Sequence, residues 1–226
     1  MKILIINPNT TASMTKKIEL AARAAARTDT HIVAVNSKNG PASIQGFLDV
    51  ATCVPGLLEE VKQHPDVDAI VIACFDDTGL DAVRTLVSVP VLGIGEAAYY
   101  AASMVASKFS VITTLSRSVP GLENNLMRYG LAQKCVRVRA TNIPVLKLEE
   151  GDPVTLFKIR SEILEAIQQD HAEAIVLGCA GMTDLMAELS EEFGLPIIDG
   201  ISAGITFAEA LVNNGLKTSK IGAYST

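Results

Sequence analysis

The chain has 226 residues, 49% of them hydrophobic and 19% charged, which fits a globular fold with a substantial core and excludes a disordered chain. Its net charge is −6 and its basic residues are scattered, so it lacks the basic stripe of a nucleic-acid-binding protein. The opening run is cut by Asn7-Pro8-Asn9, too early for a signal peptide, and no apolar run reaches the ~18 residues of a membrane span.

Short apolar runs predict strands and amphipathic stretches predict helices, in strict alternation. A strand over 3–6 is followed by a helix over 13–26, a strand over 32–35 and a helix over 54–63. A strand over 69–73, a helix over 80–88, a strand over 91–94 and a helix over 97–106 come next. The pattern continues with a strand over 110–113, a helix over 119–128, a strand over 136–140 and a helix over 154–169. It closes with a strand over 174–178, a helix over 185–193, a strand over 197–198 and a helix over 203–213. Continuous apolar strands between amphipathic helices predict an α/β fold with doubly wound parallel sheets.

The chain also repeats itself. Asp68-Ala69-Ile70-Val71-Ile72-Ala73-Cys74 resembles Glu173-Ala174-Ile175-Val176-Leu177-Gly178-Cys179, 105 residues on. Val89-Pro90-Val91-Leu92 matches Leu195-Pro196-Ile197-Ile198, and Ile5-Ile6-Asn7 matches Val111-Ile112-Thr113, both at 106 residues. Three collinear matches at nearly one spacing imply two similar halves about a pseudo-twofold axis. We expect one half to comprise residues 1–97 with 204–226, and the other residues 98–203. In such sheets ligands bind beyond the carboxyl ends of the strands. Cys74 and Cys179 both end a strand, so one thiol should stand on each side of a cleft.

In the reducing cytoplasm, where this chain is expected, the four cysteines are read as free thiols. No CxxC pair supports a redox or zinc site, so no metal is expected. A free cysteine is often no more than a small buried filler, and Cys53 and Cys135, which have no counterpart in the repeat, fit that role. Cys74 and Cys179 suit acid/base work. Inverting a carbon stereocentre by proton transfer needs a base on one face and an acid on the other, and two thiols can exchange those roles. The turns after them should supply backbone N–H groups that lower a thiol pKa and stabilise negative charge on a substrate carbonyl.

Asp76 and Asp77 work against this, because a carboxylate beside Cys74 disfavours its thiolate. Asp77 or Thr78 is expected to cap the following helix, while Asp76 is open to substrate contact. Phe75 is either a cleft wall or core. The Asn7-Pro8-Asn9-Thr10-Thr11 segment can be a turn and cap, yet Asn7 could serve a ring amide. Thr113 and Thr114 occupy the matching place in the other half. Gly93 and Gly95 form only a GxG, which fails the dinucleotide fingerprint. His31, His64 and His171 lack ligand spacing and read as surface residues, and no GxSxG elbow appears.

Together, Asn7-Pro8-Asn9-Thr10, Gly40-Pro41-Ala42-Ser43-Ile44-Gln45-Gly46, Ala73-Cys74-Phe75-Asp76-Asp77, Val111-Ile112-Thr113-Thr114 and Gly178-Cys179-Ala180-Gly181-Met182 span nearly the whole chain. In these blocks the sequence resembles the hydantoin racemase branch of the aspartate/glutamate racemase superfamily. The resemblance implies racemisation of 5-substituted hydantoins or allantoin without metal or pyridoxal phosphate, by a homo-oligomer. It implies proton transfer by Cys74 and Cys179, and ring binding by the turns after them. The substrate contacts so expected are Asn7, Ser43, Phe75, Asp76, Thr113, Thr114, Ala180 and Gly181.

Amino-acid racemases of the superfamily carry Asn-Thr after the first cysteine and Thr-His after the second. Here Phe75-Asp76 and Ala180-Gly181 stand instead, which argues against aspartate or glutamate as substrate and for a neutral ring. Gln45 stands where many hydantoin racemases have Glu. Competing readings are a maleate isomerase or arylmalonate decarboxylase on the same scaffold, and a non-catalytic small-molecule binding protein. Decarboxylation needs one cysteine as proton donor, and two are present. A dicarboxylate would call for more cationic or hydroxyl groups near the turns.

Overall fold

The structure, a computed structural model, describes residues 1–225 and, at 149 and 150, the backbone alone. Thr226, the last residue of the first expected half, lies outside the described residues.

The first eight elements are β1 (Lys2–Asn7), α1 (Ala12–Ala25), β2 (His31–Asn36), α2 (Phe47–Gln63), β3 (Ala69–Ile72), α3 (Leu80–Leu86), β4 (Val91–Gly93) and α4 (Ile94–Val105). The next eight are β5 (Phe109–Thr113), α5 (Val119–Arg128), β6 (Cys135–Ala140), α6 (Pro153–Gln168), β7 (Ala174–Leu177), α7 (Met186–Phe193), β8 (Ile197–Asp199) and α8 (Gly200–Asn213). They form two parallel four-stranded sheets, ordered β2-β1-β3-β4 and β6-β5-β7-β8. The second order reproduces the first, so the α/β architecture and its internal repeat follow the sequence expectation.

Both faces of each sheet are covered, which is why the central strands read as unbroken apolar runs. Every residue of β3 and of β7 is buried. The helices that follow the last strand of each half are exchanged. α4 packs against β7 and β8 of the second sheet, and α8 packs against β3 and β4 of the first. The two helices cross at their N-termini, where a Cβ on Gly200 would lie 2.4 Å from the Ile94 carbonyl oxygen. Only glycine permits that approach. One apolar cluster runs through the crossing, joining Ile5, Val71 and Phe75 to Tyr99, Phe109, Val176, Ile201 and Ile205. The sequence boundaries at 97/98 and 203/204 fall inside these two crossing helices.

Helix α2 starts seven residues before its expected first residue, 54. In a helix starting at 54, Pro55 would sit in the first turn, where its missing N–H costs nothing. Instead it sits in the helix interior. The first turn carries Phe47 and Leu48 outward into solvent, so it shows no buried apolar stripe.

Candidate active site

Each cysteine leaves the carboxyl end of a central strand. Ala73 N–H is bonded to Ile6 O (2.8 Å) and Gly178 N–H to Ile112 O (2.8 Å), which carries each strand ladder one residue further, to the cysteine's neighbour. Cys74 and Cys179 then line one recess, together with Asn9, Met14, Ile44, Phe75, Asp76, Thr113, Thr114, Ser118, Val145 and Ala180 among others. The cysteines come from opposite halves. No Lys, Arg or His lines the recess among the described residues.

The two sulfurs differ in surroundings. Cys74 Sγ donates toward Asp76 Oδ2 (3.9 Å) and accepts from Thr78 Oγ1 (3.7 Å). Cys179 Sγ accepts from the Gly181 N–H (3.4 Å). Burial pushes the Cys74 thiol well above its ordinary range; the Asp76 carboxylate adds to the rise, and the Asp76 N–H and Thr78 hydroxyl oppose it. Burial pushes Cys179 up to about 11, against the lowering pull of Gly181 N–H. The backbone donors expected from the sequence are therefore present, but desolvation outweighs them. Burial thus favours the thiol over the thiolate at both positions.

Asp76 has its own carboxyl pushed up to about 6 by burial, with the Cys74 thiol pulling the other way. Its Oδ1 faces the start of α5, where a Cβ on Gly121 would lie 3.5 Å from it. Asp77 does cap a helix, but not the following one. α3 begins at the left-handed Gly79 without any side-chain cap. Asp77, itself left-handed at φ 51°, accepts instead from Gly95 N (2.9 Å) and Glu96 N (2.7 Å) at the start of α4. Tyr129 Oη, just past the end of α5, completes the set at 2.7 Å. Burial pushes the Asp77 carboxyl up to about 7, opposed by these donors. Gly93 and Gly95 are glycines for this reason: a Cβ at either would lie under 3.0 Å from the Asp77 carboxylate.

Of the residues expected at the substrate, Phe75, Asp76, Thr113, Thr114 and Ala180 line the recess beside the cysteines. Asn7, Ser43 and Gly181 are not among its lining residues. Asn7 is fully buried, and its amide donates to Asn9 Oδ1 (2.9 Å) and Thr15 Oγ1 (3.1 Å). Asn9 takes the lining place. Ser43 accepts from Gln45 Nε2 (2.6 Å) in the loop that presents its neighbour Ile44. Gly181 acts through its N–H on Cys179. Phe75, open between wall and core, is both: it lines the recess and packs edge-on against Tyr99 at 5.3 Å.

Sequence reasoning missed Met14, Ile44, Ser118 and Val145. Ser118 and Thr114 are nearly buried where they line the recess. Cys53, read as a filler, packs with Ile44 directly against Cys74. His31 and His171 are exposed, and His64 engages the Glu60 carbonyl (2.8 Å). Among the described residues no cluster of His, Cys, Asp or Glu could hold a metal, and no helix is long and apolar enough to cross a membrane.

Known proteins bear on this geometry. The sequence model of the family Asp/Glu/Hydantoin racemase matches residues 3–208. A hydantoin racemase of Pseudomonas sp. (strain NS671) is 47% identical over 99% of this chain and 91% of its own length. A hydantoin racemase of Rhizobium meliloti is also 47% identical, over 100% of this chain and 94% of its own. Among solved structures, the allantoin racemase from Klebsiella pneumoniae superposes with a TM-score of 0.97 at 43% identity, covering 100% of this chain and 93% of that one.

Proposed function

The chain belongs to the Asp/Glu/Hydantoin racemase family, and from that premise we propose that it is a cofactor-independent racemase inverting C5 of a 5-substituted hydantoin ring with Cys74 and Cys179. The observation that carries this reading is that both thiols end equivalent strands of opposite halves and line one recess. One sulfur, as thiolate, takes the C5 proton. The electron pair left on C5 delocalises into the adjacent ring carbonyl. The opposite thiol then delivers its proton to the other face of C5. Proton and charge balance within the pair, so the step calls for no redox or metal chemistry.

The recess suits a neutral ring. A substrate carboxylate would meet Asp76 and no lining cation, which disfavours free aspartate or glutamate and the dicarboxylates of related scaffolds. The Thr114 and Ser118 hydroxyls on the recess lining are the donors we assign to developing carbonyl charge. Met14, Ile44, Phe75 and Val145 form an apolar side that fits an alkyl or aryl 5-substituent better than the ureido group of allantoin. The halves are best drawn as 1–97 with 204–226 and as 98–203, because α8 packs on the first sheet and α4 on the second. A cytoplasmic homo-oligomer completes the reading.

The test is to incubate each enantiomer of a 5-alkylhydantoin, and of allantoin, in D2O. Optical rotation and the C5 proton signal are followed together. Exchange with inversion is expected, faster for the alkyl substrate, and Cys74→Ser or Cys179→Ser should abolish inversion. Full inversion by either variant would defeat the two-cysteine reading.

A further inference from the structure

The two halves fasten their cysteine turns to the crossing helices with the same hydrogen bonds, but the carboxylate that makes them comes from opposite ends of the motif. In the second half, Asp199 at the end of β8 accepts from Ile201 N (3.1 Å) and Ser202 N (2.8 Å) of α8. Thr183, in the turn after Cys179, donates its hydroxyl to Asp199 Oδ1 (2.6 Å). Shifted by the repeat, Asp199 becomes Gly93 at 106 residues, and Thr183 becomes Thr78, the neighbour of Asp77, at the 105 residues that separate the two cysteine turns. Ile201 and Ser202 become Gly95 and Glu96, the two amides that Asp77 binds. The carboxylate has moved from the strand end to the turn, and the strand end has lost its side chain. That loss is obligatory, since a Cβ on Gly93 would lie 2.0 Å from Asp77 Oδ1.

Both arrangements therefore tie a cysteine turn to a helix N-terminus beside the crossing of α4 and α8. The crossing is tight, with Gly200 against the Ile94 carbonyl. A turn fixed to α4 and a turn fixed to α8 are thereby fixed to each other. The first half adds two ties across the cleft from α5 and the residue after it: Tyr129 Oη to Asp77 Oδ2 (2.7 Å) and Asn125 Nδ2 to the Asp76 carbonyl (2.9 Å). Buried charge-assisted hydrogen bonds of this kind hold geometry at the scale that proton transfer needs.

We propose that Asp77 with Tyr129, and Thr183 with Asp199, are paired positioning residues that set the two cysteine thiols on opposite faces of one carbon. This rests on the two-cysteine reading above. None of the four lines the recess or touches a reacting atom. Each acts through the turn it fastens, and each set serves its own cysteine.

The experiment separates the two faces. Take the enantiomer whose C5 proton faces Cys179. Cys179 removes that proton, and Cys74 must supply the new one. If Cys74 is displaced, Cys179 returns a solvent deuteron to the same face, giving exchange without inversion. Tyr129→Phe should raise the ratio of exchange to inversion about tenfold for this enantiomer, the scale of one lost buried hydrogen bond. Thr183→Val should do the same for the antipode, with the bias reversed. Asp77→Asn and Asp199→Asn provide a second variant for each half, and a thermal melt checks that each protein is folded. A uniform slowing of both enantiomers with an unchanged ratio, or no change at all, would overturn the proposal. Inversion surviving in Cys74→Ser or Cys179→Ser would instead defeat the two-cysteine reading.

Discussion

Replacing Asp76 by asparagine removes a negative charge beside Cys74 while keeping side-chain size. Asp76 Oδ2 lies 3.9 Å from Cys74 Sγ, in a site where both groups are largely out of water. At an effective dielectric constant of ~20, two unit charges at that distance repel by about 4 kcal/mol. At about 1.4 kcal/mol per pKa unit, that caps the effect at about three units. The Asp76 carboxyl is itself pushed up to about 6, so above neutral pH it is ionised and its repulsion is fully expressed. Asp76→Asn should therefore lower the Cys74 pKa by about one to three units. The assay is the rate of iodoacetamide alkylation against pH, resolved by peptide mass mapping so that Cys53, Cys135 and Cys179 are read separately. Cys179 should move much less. A Cys74 titration that stays in place or moves upward would refute the assignment of Asp76 as the electrostatic brake on this thiol.

Other consequences can be measured alongside. Because burial raises Cys179 to about 11 and Cys74 well above its ordinary range, kcat/KM should climb about tenfold per pH unit through the neutral and mildly alkaline range; initial rates corrected for uncatalysed racemisation check this, and a plateau near neutrality would contradict it. Ser118→Ala removes a hydroxyl from the recess lining and should raise KM about tenfold, with kcat less affected, in steady-state kinetics. The buried Asp170 is gripped by Arg139 (Nε to Oδ2 2.6 Å, Nη2 to Oδ1 2.8 Å) and Ser110 Oγ (3.0 Å); Asp170→Asn should cost roughly 3 kcal/mol in urea denaturation. Burial alone would raise the Asp170 pKa, but Arg139 and Ser110 hold it below 3.8. Its contribution is thus present above 3.8, the unfolded value, and lost as the pH falls through the lower folded value, so the variant's deficit should shrink in strong acid.

The fold was largely legible because a parallel sheet covered on both faces leaves an unmistakable trace. The runs at 69–73 and 174–178 are apolar at every position, and their repetition pointed to the two cysteines together. The start of α2 was not legible, because Phe47 and Leu48 face solvent and Pro55 imitates a helix start. Recess residues were legible only where they adjoin a strand end. Ile44 and Val145 reach the site from segments remote in sequence from both cysteines, so only the packed fold brings them there. Asn7 and Asn9 have the same side chain and the same capping ability; which one faces the recess depends on the path of the turn. The GxG at Gly93 and Gly95 was a real signal of close approach. Its cause, the Asp77 carboxylate sixteen residues earlier, is visible only once the turn and α4 are packed together.

The same repeat also constrains what the unequal surroundings of Cys74 and Cys179 can do. Two enantiomers have equal free energy in water, so the equilibrium constant of racemisation is one, and kcat/KM must be the same in both directions whatever the protein does. A carboxylate on one thiol and a backbone N–H on the other cannot make the enzyme prefer one hand by that measure. They can unbalance kcat and KM individually, provided the two ratios cancel. Asp76 adds to the cost of ionising Cys74, so the active, singly ionised pair should keep its proton on Cys74 and leave Cys179 to act as base. The enantiomer whose C5 proton faces Cys179 should then bind to the form that predominates and show the lower KM, with a proportionally lower kcat. In Asp76→Asn the two KM values should converge, and the two kcat values with them. Full progress curves from each pure enantiomer measure all four constants. A difference in KM that persists unchanged in the variant would mean that the asymmetry arises from ring binding, not from the protonation of the thiol pair.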